Sequence, residues 1–366
     1  MVIGLFVVGL ALLVVGAEAL VRGAGRLAAA IGISPLVIGL TVVAFGTSSP
    51  ELAVSLQSAW SGDVDVAIGN IVGSNICNIL LILGLSAVIA PLVVSQQLVW
   101  LEVPLMIGIS LGTWLMALNG VIGRAEGLLL FGGIVAYTVY SIWQSRRENQ
   151  SVTEEYRQEF GTDAPSAPAY WWFNLALILA GLGMLILGSR WLVNGAVTFA
   201  ELLGVNQLVV GLTIVALGTS LPELATSVVA SLRNERDIAV GNVVGSNLFN
   251  LMVVLGLSGV LAPQGIPVSR AALQLDLPVM IAATVACLPI FFTGHLIARW
   301  EGLLFVGYYI AYLVYLGMAA VSHQALDLFG VAMTVFVLPL TGITLLIGVG
   351  RALAAQRKQK NFNAML

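Results

Sequence analysis

Residues 32–91 and 204–263 are one stretch written twice. A shift of 172 residues aligns them without a gap, and about half of the positions are identical. Chance does not give that, so the chain is built from two copies of one unit. Each copy carries the same motif, TVVAFGTSSPEL from Thr41 to Leu52 and TIVALGTSLPEL from Thr213 to Leu224. Both place a carboxylate, Glu51 or Glu223, inside a long apolar run.

The number of apolar runs per copy decides how the copies are related. Charged residues make up only 9% of the chain and hydrophobic residues 59%, whereas soluble domains carry about 25% charged residues. This is a polytopic membrane protein with no room for a large soluble domain. Runs near the ~20 residues needed to span fall at about 2–21, 34–60, 66–89, 98–118 and 125–143. The second copy repeats them at about 170–203, 206–232, 238–261, 271–292 and 300–321. No basic region precedes the first run, so it reads as a span and not as a secretory signal. Five spans is an odd number, so the copies enter the membrane with opposite orientation. The expected fold is all-α, with two inverted five-helix repeats, helices broken at the midplane and an unpartnered eleventh segment at about 326–350. The units are 1–146, a polar cytoplasmic linker at 147–168, 169–322, and 323–366 with the extra helix and a basic tail.

Charge sets the orientation. With the N-terminus outside, the inner side collects Arg22, Arg26, Arg146, Arg147, Arg157, Arg233, Arg236 and Arg299. It also collects Arg351, Arg357, Lys358 and Lys360 if the eleventh segment spans, and the outside keeps only Arg124 and Arg270. The expected location is a bacterial cell membrane with the C-terminus in the cytoplasm.

A charge deep in a bilayer costs at least ~2.5–3.5 kcal/mol, so an intramembrane carboxylate is a functional-site hypothesis. Thr47 and Ser48 lie four and three residues before Glu51 and share its helical face; Thr219 and Ser220 stand likewise before Glu223. Pro50 cannot donate to the carbonyl of Gly46, and its ring crowds that turn. The spacing predicts a broken helix whose carbonyls, hydroxyls and carboxylate converge. Hard oxygen ligands suit Ca2+ or Na+. The competing reading is a Pro-kinked helix with its glutamate reaching for the headgroups.

A second constellation recurs beside each motif. GNIVGSNICN places Ser74 and Asn78 one helical turn apart with Asn75 between them, and GNVVGSNLFN does the same with Ser246, Asn247 and Asn250. Gly69, Gly73, Gly241 and Gly245 stand at GxxxG spacing, which admits another backbone closely. Ser74, Asn78, Ser246 and Asn250 are read as further cation ligands, Asn75 and Asn247 as ligands or interhelical glue, and Asn70 and Asn242 as structural. Asp65 and Asp237 fit helix caps. Glu18, Glu102, Glu126, Asp276 and Glu301 lie nearer span ends and read as solvated or paired. Cys77 and Cys287 read as packing residues, and no zinc spacing joins His295 and His323.

These residues carry a resemblance. GTSSPEL with GSNICN, and GTSLPEL with GSNLFN, resemble the paired α-repeats of the sodium/calcium exchanger family, within the cation/calcium antiporter superfamily. The likeness covers the first ten helices. It implies that Glu51 and Glu223 share a central Ca2+ site beside Na+ sites, with Thr47, Ser48, Thr219, Ser220, Ser74, Asn78 and Ser246 as ligands. It further implies the carbonyls of Ala44 and Ala216 as ligands, and alternating access in which helices 1 and 6 slide across a core. Asn250 is a departure. Some members carry Asp there, associated in the animal branch with potassium-dependent exchange, so Asn250 argues against K+ cotransport. The eleventh segment also departs from common patterns, and the linker is too short for the Ca2+-sensing domains of animal members.

The expected function is Na+/Ca2+ antiport, with Ca2+ and Na+ as transported substrates, the bilayer as partner, and no cofactor, nucleic acid or enzymatic activity. Ca2+/H+ antiport is the alternative, since protons can neutralise the same glutamates. A cation channel is a rival of another class, against which broken inverted repeats argue for occlusion.

Overall fold

The structure, a computed structural model, describes residues 2–61, 64–160, 171–202, 216–320, 326–343, 346 and 350. The turn at Gly62 and Asp63, the stretch 206–215 that opens the seventh span, His323 and the basic tail from Arg351 lie outside the described residues, as does the end of the linker from Gly161.

Helix α1 runs Val2–Ile31. Helix α2 is broken into α2a, Pro35–Thr47, and α2b, Ser49–Ser61, bent by 45° at Ser48. Then follow α3 (Val66–Ile89), α4 (Leu98–Ala117) and α5 (Arg124–Phe160). The second copy gives α6 (Trp171–Leu202), α7a (Ala216–Gly218) and α7b (Leu221–Leu232). It continues through α8 (Arg236–Leu261), α9 (Ala272–Phe292) and α10 (Arg299–Ala320). The break after Gly218 falls within one residue of the position one repeat along from that after Thr47, so both motifs interrupt their helices at the Thr–Ser pair.

Helix α5 departs from expectation. It continues past Trp143 to Phe160 as one helix of 37 residues, about 55 Å long. The polar stretch after Trp143 is rich in Gln, Arg and Glu, all good helix formers, and holds no Gly or Pro before Gly161.

Among the described residues, two short antiparallel ladders add to the all-α expectation. Strand β1 (Leu92–Val93), after α3, pairs with β4 (Leu296–Ile297), before α10. Strand β2 (Val121–Ile122), before α5, pairs with β3 (Ile266–Pro267), after α8. Each ladder gives main-chain groups of two connecting loops their partners. Each joins a loop of one repeat to a loop of the other, which requires the α3–α4 and α9–α10 loops to share a membrane face. The α4–α5 and α8–α9 loops likewise share one. That arrangement is an inverted repeat.

Helices α3 and α8 are the most buried spans. Gly241 and Gly245 let α8 lie against α2a: a Cβ at Gly241 would stand 2.8 Å from the Leu36 carbonyl oxygen, and one at Gly245 2.6 Å from that of Leu40. Helices α1 and α6 associate mainly with each other, antiparallel, along glycines spaced by seven residues. A Cβ at Gly9 would meet the Gly188 carbonyl at 2.8 Å, and one at Gly181 the Gly16 carbonyl at 2.7 Å. Gly9, Gly16 and Gly23 map onto Gly181, Gly188 and Gly195 by the same shift of 172, so the duplication reaches these helices as well.

The eleventh helix, α11 (Phe329–Ile343), lies beside α10. Tyr308 Oη and Thr341 Oγ1 are 2.5 Å apart, and the rings of Tyr315 and Phe329 meet. An apolar cavity of about 520 Å3 is lined by residues of α9, α10 and α11.

Candidate ion site

Each motif delivers its glutamate to the first turn of a half-helix. Ser48 and Ser220 are the residues at the breaks, with φ/ψ of −82°/5° and −86°/6°. Proline follows two residues later, where its missing N–H costs nothing. Glu51 and Glu223 then fall among the free N–H groups at the positive end of a helix dipole, where a carboxylate is stabilised. Both side chains are 0% exposed.

The two repeats exchange hydroxyls. Ser48 Oγ donates to Glu223 Oε1 at 3.0 Å, and Ser220 Oγ donates to Glu51 Oε1 at 3.3 Å. The serine of each break therefore serves the acid of the other, which ties the two acids into one hydrogen-bonded cluster. The threonines cross as well. Thr47 Oγ1 lies 3.1 Å from Asn242 Oδ1, and Thr219 Oγ1 lies 3.2 Å from Asn70 Oδ1. Asn70 Nδ2 reaches the Glu51 carbonyl oxygen at 3.2 Å and Ser55 Oγ at 2.9 Å. Asn242 Nδ2 reaches the Glu223 carbonyl oxygen at 3.4 Å and Ser227 Oγ at 3.0 Å. Asn70 and Asn242, read from sequence as structural, thus contact the site directly. Their equal offset from each glutamate was the available signal.

Ser246 Oγ stands 3.5 Å from Thr47 Oγ1. Asn78 and Asn250 sit at π-helical turns, 77–83 and 250–254, a distortion that favours functional positions. Asn78 Nδ2 donates to Asn247 Oδ1 at 3.0 Å. Asn75 Nδ2 turns back to the Ile71 carbonyl at 2.8 Å. Ser74 is buried on α3. Among the described residues, no hydrogen bond joins Ser74, Ala44 or Ala216 to either acid. The Ala44 carbonyl accepts the Ser48 amide at 3.0 Å and lies 3.4 Å from Thr47 Oγ1.

Buried polar atoms nearly always have hydrogen-bond partners. Among the described residues, Glu51 Oε2, Glu223 Oε2, Asn75 Oδ1, Asn78 Oδ1 and Asn250 Oδ1 are buried acceptors with none. Two of these unmatched oxygens are carboxylate, and oxygens of this kind suit hard cations.

Five of the other acids are paired. Gln97 and Tyr137 donate to Glu102 at 2.8 and 2.5 Å, and Tyr312 donates to Asp276 at 2.8 Å. Glu126 and Glu301 accept the amides of Gly123 and Ala298 three residues before them, the glutamate half of a capping box. Glu18 bridges Arg22 and Arg233. Asp237 lies in the first turn of α8, and Cys77 and Cys287 are buried free thiols.

Fold and site together define the class: an inverted-repeat ion-transport protein of the membrane. The chain belongs to the sodium/calcium exchanger protein family, whose pattern matches residues 1–143 and 173–318. CaxA of Alkalimonas amylolytica is 41% identical over 249 residues, covering 68% of this chain and 76% of CaxA. The sodium/calcium exchanger MaX1 of Methanosarcina acetivorans is 31% identical over 316 residues, covering 75% of this chain and 87% of MaX1. The solved structure of the sodium-calcium exchanger NCX_Mj matches with a TM-score of 0.73 at 30% identity, covering 86% of this chain and 98% of the other. The family match ends at residue 318, before α11.

Proposed function

We propose that this chain exchanges Na+ for Ca2+ by alternating access about one site held by Glu51 and Glu223. Family membership supports cation/calcium antiport as the class. The observation that carries the finer reading is the crossed pair of bonds, Ser48 to Glu223 and Ser220 to Glu51, between two wholly buried acids. Two carboxylates carry a charge of −2, which one Ca2+ neutralises. Several Na+ can instead distribute over the same carboxylates, hydroxyls and amide oxygens. Ions that compete for one site, reached from one face at a time, are exchanged.

The α1–α6 pair supports the moving part. Its two members hold each other along a backbone-close glycine seam, so they can shift together against the remaining helices. The charge distribution supports an external N-terminus and a cytoplasmic linker. Na+ coupling is preferred over H+ because the site is rich in hydroxyls and amide oxygens. A bare alkali cation needs many oxygens, whereas a proton needs one.

The test loads proteoliposomes with Na+ or with choline at equal pH and follows Ca2+ entry. Uptake is expected from Na+-loaded vesicles and to rise steeply with Na+ concentration. Equal uptake from both, with strong uptake under an imposed pH gradient, would identify a proton-coupled antiporter instead.

A further inference from the structure

A hydroxyl that ligates a cation must turn a lone pair to the ion and its single proton elsewhere. The site contains a device for that. An amide's two ends are ordinarily hard to tell apart, but here the neighbours decide. The main-chain oxygen of Glu51 can only accept, so the Asn70 atom 3.2 Å from it is the nitrogen. That nitrogen's second hydrogen goes to Ser55 Oγ. The Asn70 oxygen is thereby left facing Thr219, and since an amide oxygen cannot donate, Thr219 is the donor in the bond between them, with the Glu51 carboxylate as a second acceptor within its reach.

The second repeat does the same independently. Asn242 commits its nitrogen to the Glu223 carbonyl and Ser227 Oγ, and its oxygen accepts from Thr47. Thr47 has other neighbours, the Ala44 carbonyl at 3.4 Å, Ser246 Oγ at 3.5 Å and the Glu223 carboxylate, but its bond to Asn242 at 3.1 Å is the shortest hydrogen bond it makes. Every member of one clamp maps onto the other by 172 residues. Each clamp also spans the repeats, tying a threonine at one helix break to the glutamate backbone at the other.

We infer that Asn70 and Asn242 are positioning residues of the ion site, each taking the proton of Thr219 or Thr47 so that the hydroxyl's lone pairs stay directed at the cation. The inference rests on the reading of those threonines as ligands. The amides act through them and need not touch the ion.

The experiment is a double-mutant cycle on the full chain, Asn70→Leu with Thr219→Val, repeated in mirror with Asn242→Leu and Thr47→Val. Ca2+ binding to the purified protein is measured by calorimetry with and without Na+, beside half-saturation and maximal rate in proteoliposomes. Each single variant is expected to weaken apparent ion affinity about ten-fold, the scale of one lost hydrogen bond. Each double variant should be no weaker than the worse of its singles. Multiplying losses, or a fall in maximal rate with affinity unchanged, would overturn the inference. If Thr219→Val and Thr47→Val weaken binding while both asparagine variants do not, the clamp is wrong and the ion site stands. If the threonine variants bind Ca2+ and Na+ as the parent does, the ligand reading fails and the inference with it. The mirror cycle decides if an Asn70 variant does not elute as folded protein.

Discussion

Glu51 and Glu223 each accept one serine hydroxyl and keep a second carboxylate oxygen without a protein donor. Replacement by Gln keeps the shape and removes the charge, leaving a divalent ion half compensated in a buried site. Glu51→Gln and Glu223→Gln are each expected to cut Ca2+ exchange to background in proteoliposomes. Near-normal exchange by either would show that the acids do not form one site. Asn250 is fully buried, and both its amide atoms lack partners. Asn250→Asp introduces a third acid, which must be matched by a cation or stay protonated. Na+ competition or pH dependence of exchange should therefore change, and a variant indistinguishable from the parent in both would place Asn250 outside the site.

Among the elements, the α1–α6 seam is the contact most sensitive to volume. A Cβ at Gly181 would lie 2.7 Å from the Gly16 carbonyl and 2.8 Å from the Leu20 amide, whereas none of the surroundings of Gly183 comes within 4 Å. Gly181→Val must push two backbones apart, at about 1–3 kcal/mol by the usual cost of overpacking. Gly183→Val on the exposed face should change stability by no more than ~0.5 kcal/mol. Thermal unfolding in detergent reads the contrast, and equal melting temperatures for the two variants would contradict the seam.

On the scale of the molecule, the strand ladders fix which loops share a face, and the basic residues indicate which face is cytoplasmic. A reporter fused after Leu366 is expected to lie in the cytoplasm. A periplasmic reporter together with a cytoplasmic linker would mean that the eleventh segment does not cross. That segment meets α10 directly beside an apolar cavity, and lies beyond the family match.

The inverted architecture and the paired acids were legible in the sequence because both follow from local facts: a duplication, an odd number of apolar runs, and a carboxylate where hydrocarbon belongs. The helix breaks were legible for the same reason, since Gly, Pro and the Thr–Ser pair act on their own turn. Other features depended on contacts far apart in the chain. That Ser48 serves Glu223 and not its neighbour Glu51, and that Asn70 faces Thr219, is decided by how the copies cross, which no spacing within one copy encodes. The continuation of α5 to Phe160 was hidden by polarity, because hydropathy marks where a helix leaves the bilayer and not where it ends. The sequence by itself thus determined the solvent, the repeat and the chemical character of the site. The tertiary structure decided which hydroxyl meets which acid, because hydrogen bonds are made between atoms brought within about 3 Å, and only the packed helices bring the two halves that close.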